Sequence, residues 1–272
     1  MTNSTNRVQV FRQLHLSGCF VIPNPWDLGS ARVLTQLGFQ ALATTSSGFA
    51  WSIGRADNHI SLEQALAHFR WLAEGVDVPV NGDFEHGFAV EPDAVGRNVA
   101  AAAVTGVAGL SIEDSTGAPE NPLFEFTLAV ERIRAARRAI DDSGTGVLLT
   151  GRSEGFIVGR PDLAETVRRL TAYADAGADC LYAPGIRAMP DIVSVVEAVA
   201  PKPVNVLAST DFTTVSELAA AGVRRISVGG ALARTAWTGF LNAAQEIADQ
   251  GTFTNLARAV SGVDLNRRFV SK

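Results

Sequence analysis

An alternation that repeats eight times without a linker does most to limit what this chain can become. Short apolar runs of strand length fall at 20–23, 41–45, 78–82, 109–112, 147–150, 180–183, 203–207 and 225–228. Between them, segments 62–74, 93–104, 128–140, 163–176, 190–199 and 215–221 carry apolar residues at mixed three and four spacing, the mark of a helix with one buried face. Gly106, Gly177 and Gly222 sit where a left-handed residue would end a helix before the next strand. Parallel strands need a long crossover, and a helix supplies it. Eight such units in 272 residues predict a single α/β domain spanning 1–272, a (β/α)8 TIM barrel.

Composition excludes several alternatives. No apolar run approaches the ~18 residues needed to span a bilayer, and no apolar signal segment follows the polar first residues. A soluble cytoplasmic protein without a membrane partner is expected. Cys19 and Cys180 suit neither a disulfide framework nor a thiolate metal site and read as small buried residues. The net charge of −5 argues against nucleic acid as a partner but leaves small acids open, because a site can be locally positive.

In a barrel of this kind the reactive groups sit at the C-terminal ends of the strands, and here those ends are polar. Strand one runs into Asn24 and Asp27, strand two into Thr45-Ser46-Ser47-Gly48, and strand three into Asp83-Phe84-Glu85-His86-Gly87. Strand four gives Glu113-Asp114-Ser115-Thr116, strand five Gly151-Arg152-Ser153-Glu154, and strand seven Asn205. Carboxylates gathered at strand ends repel one another unless a cation or hydrogen-bond donors compensate them. Oxygens from Asp83, Glu85 and Glu113, directly or through water, suit Mg²⁺, which keeps several waters. Arg152 offers a planar fork to a substrate carboxylate, and the small residues Thr45 to Gly48 let backbone N–H groups approach a second anionic oxygen.

These motifs, in their order and spacing, resemble the isocitrate lyase and phosphoenolpyruvate mutase superfamily from Asn24 to about Phe240. The resemblance rests on the Thr45-to-Gly48 turn followed by Ser52-Ile53-Gly54-Arg55-Ala56-Asp57, on Asp83-Phe84-Glu85-His86-Gly87-Phe88, on Ser111-Ile112-Glu113-Asp114, and on Gly151-Arg152-Ser153-Glu154. It implies a Mg²⁺-dependent enzyme, with Mn²⁺ as a substitute, that makes or breaks a carbon-carbon or carbon-phosphorus bond beside a 2-oxo or 2-hydroxy carboxylate through an enolate held on the metal. Asp57, Asp83, Glu85 and Glu113 match its metal-shell positions, Arg152 its substrate arginine, and Ser46, Ser47 and Gly48 its carboxylate-binding turn; Thr45 and Asn205 join them as expected substrate contacts. It also implies a homo-oligomer, a dimer or tetramer, in which the last barrel helix is exchanged between subunits and 243–272 serves as a C-terminal helical oligomerisation segment.

One departure is informative. Isocitrate and methylisocitrate lyases carry a Lys-Arg-Cys-Gly-His-like stretch after strand four whose cysteine is a general acid, whereas this chain reads Asp114-Ser115-Thr116-Gly117-Ala118-Pro119-Glu120-Asn121. An isocitrate lyase is therefore not expected. Phosphoenolpyruvate mutase relatives use an asparagine in this loop and phosphonopyruvate hydrolase relatives a threonine, which makes Asn121 and Thr116 the candidate catalytic residues beside Asp57 and Arg152. The missing lysine tilts the expectation from a phosphonate toward a carboxylate substrate. Three readings follow: a Mg²⁺-dependent carbon-carbon lyase, a phosphonate enzyme, or a binding protein that keeps the metal and carboxylate site without turnover. Plainer roles compete for single residues. Arg152 can pair with Glu154 or Glu113, Asp114 can orient the loop, and Asp27 can cap the helix that follows it.

Overall fold

The computed structural model describes residues 2–270. Eight parallel strands form one sheet: β1 (Phe20–Ile22), β2 (Leu42–Ala43), β3 (Val80–Asp83), β4 (Gly109–Glu113), β5 (Leu148–Arg152), β6 (Cys180–Tyr182), β7 (Val204–Leu207) and β8 (Arg225–Ser227). Their order, β1-β8-β7-β6-β5-β4-β3-β2, brings the first strand against the last, and the Ala43 N–H donates to Pro23 O at 3.1 Å across the remaining seam. The expected (β/α)8 barrel is therefore the observed one. Asn24 stitches the same seam: its Oδ1 accepts the N–H groups of Val228 and Gly229 at 2.9 Å, and its Nδ2 donates to Thr44 O at 3.0 Å.

The helices follow from capping chemistry as much as from apolar spacing. Asp27 caps α2 (Leu28–Gln36), as expected, and Ser30 returns the bond to complete a capping box. Ser61 does the same for α4 (Leu62–Gly75), and Thr214 for α9 (Val215–Ala220). The outer layer is completed by α5 (Pro92–Ala103), α6 (Phe126–Ser143), α7 (Leu163–Asp175), α8 (Met189–Val199) and α10 (Ala231–Gln250). Between sheet and helices lie Phe69, Leu72, Val99, Leu110 and Leu149, all close to fully buried. Gly82 is required by this packing, since a Cβ there would stand 2.7 Å from the Phe69 ring.

Two helices depart from the sequence reading. The N-terminal α1 (Thr2–Leu14) closes the bottom of the barrel with Phe11 and His15. Its sequence is too polar, with Val8 and Phe11 as its buried apolar anchors, to give a clear helical stripe. The expected turn at Thr45-Ser46-Ser47-Gly48 is instead the start of α3 (Ser46–Ser52), with Thr45 as its N-cap. At the other end, α10 buries only Ala233 and Glu246 and leaves Trp237, Phe240, Leu241 and Ile247 exposed. A 3-10 helix (Thr254–Arg258) and α11 (Gly262–Phe269) follow, so 243–270 is helical in part; residues 271 and 272 lie outside the described residues. Among the described residues no helix is long and apolar enough to cross a membrane.

Candidate active site

Parallel register runs one row of side chains from the top of the barrel down toward its floor. Glu113 pairs with Arg152, Arg152 with Tyr182, Tyr182 with Asn205, and Asn205 with Arg225, and all five face a cavity of about 640 Å³. Alternation along the strand dictates which residues join them, because only every second side chain faces inward. Of the residues predicted from sequence, Thr45, Ser46, Ser47, Asp57, Asp83, Glu113, Arg152 and Asn205 line this cavity.

Four predicted residues do not line it. Gly48 is buried inside α3, where its N–H donates to the Thr45 hydroxyl at 3.3 Å to cap the helix. Thr116 turns inward on its own loop, donating to Asn121 O at 2.5 Å and accepting the Ala118 N–H at 3.0 Å. Asn121 faces a separate groove on the outer side of that loop. Glu85 lies beside the cavity with only 2% of its surface exposed. In the Thr45-to-Gly48 stretch, the Ser46 N–H and Oγ both donate to Asp83 Oδ2 at 2.9 Å. Those donors meet a carboxylate of the protein itself.

At the centre stands Arg152. It gives Nη1 to Asp83 at 2.7 Å, Nε to Glu154 at 2.9 Å and Nη2 to Glu113 at 3.1 Å, and its guanidinium carbon lies 5.1 Å from the centre of the Tyr182 ring. These carboxylates hold it charged against the penalty of burial. The ring of metal ligands expected from Asp57, Asp83, Glu85 and Glu113 is not a closed set: among the described residues no three His, Cys, Asp or Glu side chains stand together as ready metal ligands. The physical reason is the guanidinium, which draws Asp83 and Glu113 onto itself.

The donor set nonetheless fits a divalent cation, and Glu85 supplies the test. Both of its carboxylate oxygens are buried without a hydrogen-bond partner, and its backbone is held in the left-handed region at φ 46°. Burial first, then the charges of Asp83 and Asp57, push its carboxyl up to about 8. Burial and then Asp83 raise Asp57, while burial raises Glu113 despite Arg152. Such a cluster costs free energy that a cation with bound waters would relieve, since hard cations take carboxylate oxygens. The His86 imidazole beside this cluster is pushed down by burial, and its carbonyl accepts from Arg132.

Over the mouth lies the loop 115–125, a small hairpin pinned by a bridge between Ser115 and Leu123. Gly117, Ala118, Pro119 and Pro122 present its inner face to the cavity. Its feet are anchored by Asp114, which is 2% exposed and accepts from Arg169 Nη1 at 3.1 Å, Tyr173 OH at 2.7 Å and the Glu154 N–H at 2.8 Å. Arg169 Nη1 also donates to Phe124 O at 3.1 Å, so one guanidinium holds both feet. Asp114 thus orients the loop, as its sequence position suggested.

Several cavity residues escaped the sequence reading: Asn81, Ser111, Tyr182, Arg225 and Ser227. Each sits within or at the start of a strand rather than after its end, where apolar neighbours hide a lone polar residue. Register with Arg152 is the signal that would have found Tyr182 and Arg225.

Comparison with known proteins agrees with this geometry. The chain matches the family described as phosphoenolpyruvate phosphomutase over residues 11–248. It resembles the crystal structure of a candidate lyase or mutase from Burkholderia cenocepacia J2315, with 46% identity, TM-score 0.95, and coverage of 99% of this chain and 98% of that one. A Mycobacterium tuberculosis (H37Rv) protein of uncharacterised function, Rv1998c, is 30% identical over 262 residues, 96% of each chain. The structure of 2,3-dimethylmalate lyase, a member of the phosphoenolpyruvate mutase and isocitrate lyase superfamily, is 26% identical with TM-score 0.85 over 98% of this chain and 94% of that one. With the motifs, the barrel and the match over most of its length in agreement, the chain belongs to the phosphoenolpyruvate phosphomutase family of the isocitrate lyase superfamily.

Proposed function

We propose that this protein is a Mg²⁺-dependent lyase that cleaves a carbon-carbon bond in a small 2-hydroxy or 2-oxo carboxylic acid. One observation carries the reading: a partly buried Arg152 ringed by Asp83, Glu113 and Glu154 beside the unpartnered carboxylate of Glu85. Asp57, Asp83, Glu85 and Glu113 would hold Mg²⁺ or Mn²⁺, in part through water. Bound there, the cation would supply Lewis-acid stabilisation of negative charge developing on the substrate's 2-oxygen.

The protein's own groups do the remaining work. Arg152 would grip a substrate carboxylate in bidentate fashion with the two arms that now meet Asp83 and Glu113, were those carboxylates to turn to the cation. Asp57, raised by burial and by Asp83, is suited to accept a proton from a substrate hydroxyl. The loop 115–125 would exclude water, and its cavity face offers only Ser115, Gly117, Ala118 and two prolines, with no acid to protonate a leaving group. This disfavours a lyase that needs a loop cysteine as its general acid. The loop also lacks any Lys or Arg to greet a dianionic phosphonate, which places the carbon-phosphorus reaction second.

The exposed apolar residues of α10, Trp237, Phe240 and Leu241, support a homo-oligomer in which this helix packs on a second copy; light scattering at several concentrations checks it. A cytoplasmic location accords with two free cysteines. The activity is tested by incubating small 2-oxo and 2-hydroxy acids with protein and Mg²⁺ and following release of pyruvate, glyoxylate or oxalate. Release that stops with EDTA and in Asp83→Ala is expected. Turnover of phosphonopyruvate alone, followed by ³¹P NMR, would favour the second reading, and oxalate binding without any turnover the binding-protein reading.

A further inference from the structure

The loop from β3 to α5, which carries Glu85, takes an uncommon backbone path. Among the described residues three that are not glycine lie in the left-handed region, Asn58, Glu85 and Phe88, and two of them fall in this loop, at φ 46° and 55°, with Gly87 between them at 75°. A Cβ crowds its own backbone there, so such residues persist only where their surroundings over-determine them. Here a run of donors does so. The Glu85 carbonyl accepts the Glu113 N–H at 3.0 Å, and the carbonyls of Gly87 and Phe88 accept Asn98 Nδ2 at 2.9 and 3.4 Å. Those of His86, Ala89 and Val90 all accept from one side chain, Arg132.

Arg132 reaches the loop from α6 and is 1% exposed. Its Nη2 donates to His86 O, and its Nη1 to Ala89 O at 2.5 Å and Val90 O at 2.6 Å, while its flat face lies 3.9 Å from the centre of the Phe124 ring. Burial pulls the guanidinium down to about 10, so it stays charged at neutral pH. Every hydrogen bond it makes among the described residues ends on a main-chain carbonyl of the one segment that holds Glu85. That carboxylate has reason to withdraw: both of its oxygens are buried without a partner, and the charges of Asp83 and Asp57 repel it. A backbone clamped on both sides of Gly87 removes the freedom it would need to do so.

We propose that Arg132 is a positioning residue of the cation site, holding residues 85–88 in the left-handed path that keeps the Glu85 carboxylate beside Asp83 and Asp57 before any cation arrives. This rests on the reading of those carboxylates as the metal shell. Arg132 touches neither cation nor substrate and acts only through the main chain of the loop. A lysine, with a point charge in place of a planar fork, cannot span the three carbonyls and stack on Phe124 at once.

The test is Mn²⁺ binding to the full chain, followed by electron paramagnetic resonance, in the wild type, in Arg132→Lys, and in Ile140→Ala, a truncation of a fully buried residue on the same helix. Arg132→Lys is expected to lose about 10- to 100-fold in Mn²⁺ affinity, the usual effect of removing a group that orients a metal ligand. Ile140→Ala is expected to lower the urea midpoint yet keep the affinity within about threefold of the wild type. An affinity in Arg132→Lys within that same factor overturns the proposal alone, as does an equal loss in Ile140→Ala, which would make binding follow stability. A wild type that binds no Mn²⁺ overturns the metal reading and this proposal with it. Should either variant not fold, a crystal structure of the wild type with Mn²⁺ decides. Glu85 is expected on the ion, directly or through one water, with 85–88 still left-handed and Arg132 still on its three carbonyls; Glu85 away from the ion, or a loop that has left Arg132, overturns the assignment.

Discussion

Replacing Asp114 by Ala removes one acceptor from three donors at once: Arg169 Nη1 at 3.1 Å, Tyr173 OH at 2.7 Å and the Glu154 N–H at 2.8 Å. Breaking a buried pair by deleting one partner costs about 3–5 kcal/mol, because the other partner stays buried and uncompensated. Arg169 keeps its bond to Glu165 Oε1 at 2.8 Å, which places the expected loss near the lower end, about 3 kcal/mol. Urea denaturation at fixed protein concentration measures it as a drop in midpoint at unchanged slope. A double-mutant cycle with Arg169→Met should then return a coupling of about 2 kcal/mol. The same change frees the amide of Glu154 and both feet of the loop, so proteolysis within 115–125 should accelerate. A loss below about 1 kcal/mol, or additive single effects, would refute the view that Asp114 clamps the loop to the site.

Acid should destabilise the protein through two buried histidines. Burial first pushes His15 down to about 3 and His68 down to about 4, so between those values and 6.5 the unfolded chain binds more protons than the folded one. Stability is then lost as pH falls through that window, by about 2 kcal/mol for each histidine at pH 5, and His15→Asn or His68→Asn should flatten the slope of midpoint against pH. Glu85 works in the opposite sense: with its carboxyl raised to about 8, cation uptake at pH 7 should expel close to one proton. Titration in buffers of different ionisation enthalpy counts that proton, and the apparent affinity should climb from pH 6 to 8. Gly82→Ala places a Cβ 2.7 Å from the Phe69 ring and should lower stability by about 1–3 kcal/mol, read from the thermal midpoint.

Much of the barrel could be read in advance because most strands are short, largely apolar runs that end near a polar residue, and most helices between them carry an apolar stripe. The eight strands fall where those runs lie, and Asp27 caps the helix it precedes. What escaped depends on contacts far apart in sequence. Helix α1 is fixed by inserting Phe11 and His15 into the barrel floor, and an isolated polar segment carries no trace of that. Thr45 to Gly48 reads as a turn for anions, yet Asp83, on the next strand, takes its N–H and hydroxyl. Thr116 and Asn121 bond to each other because the loop folds on itself, which spacing alone does not reveal. Arg225 was passed over for a related reason: it opens a strand, and only register with Asn205 turns it toward the site.

The claim that carboxylates from separate strands serve one divalent ion is most directly tested by titrating the purified protein with Mn²⁺ and following free ion by electron paramagnetic resonance. One site per chain is expected, displaced by Mg²⁺ and lost in Asp83→Asn and in Glu113→Gln while both variants keep the wild-type circular dichroism. Mn²⁺ that does not bind, or that binds the two variants as tightly as the wild type, would contradict it.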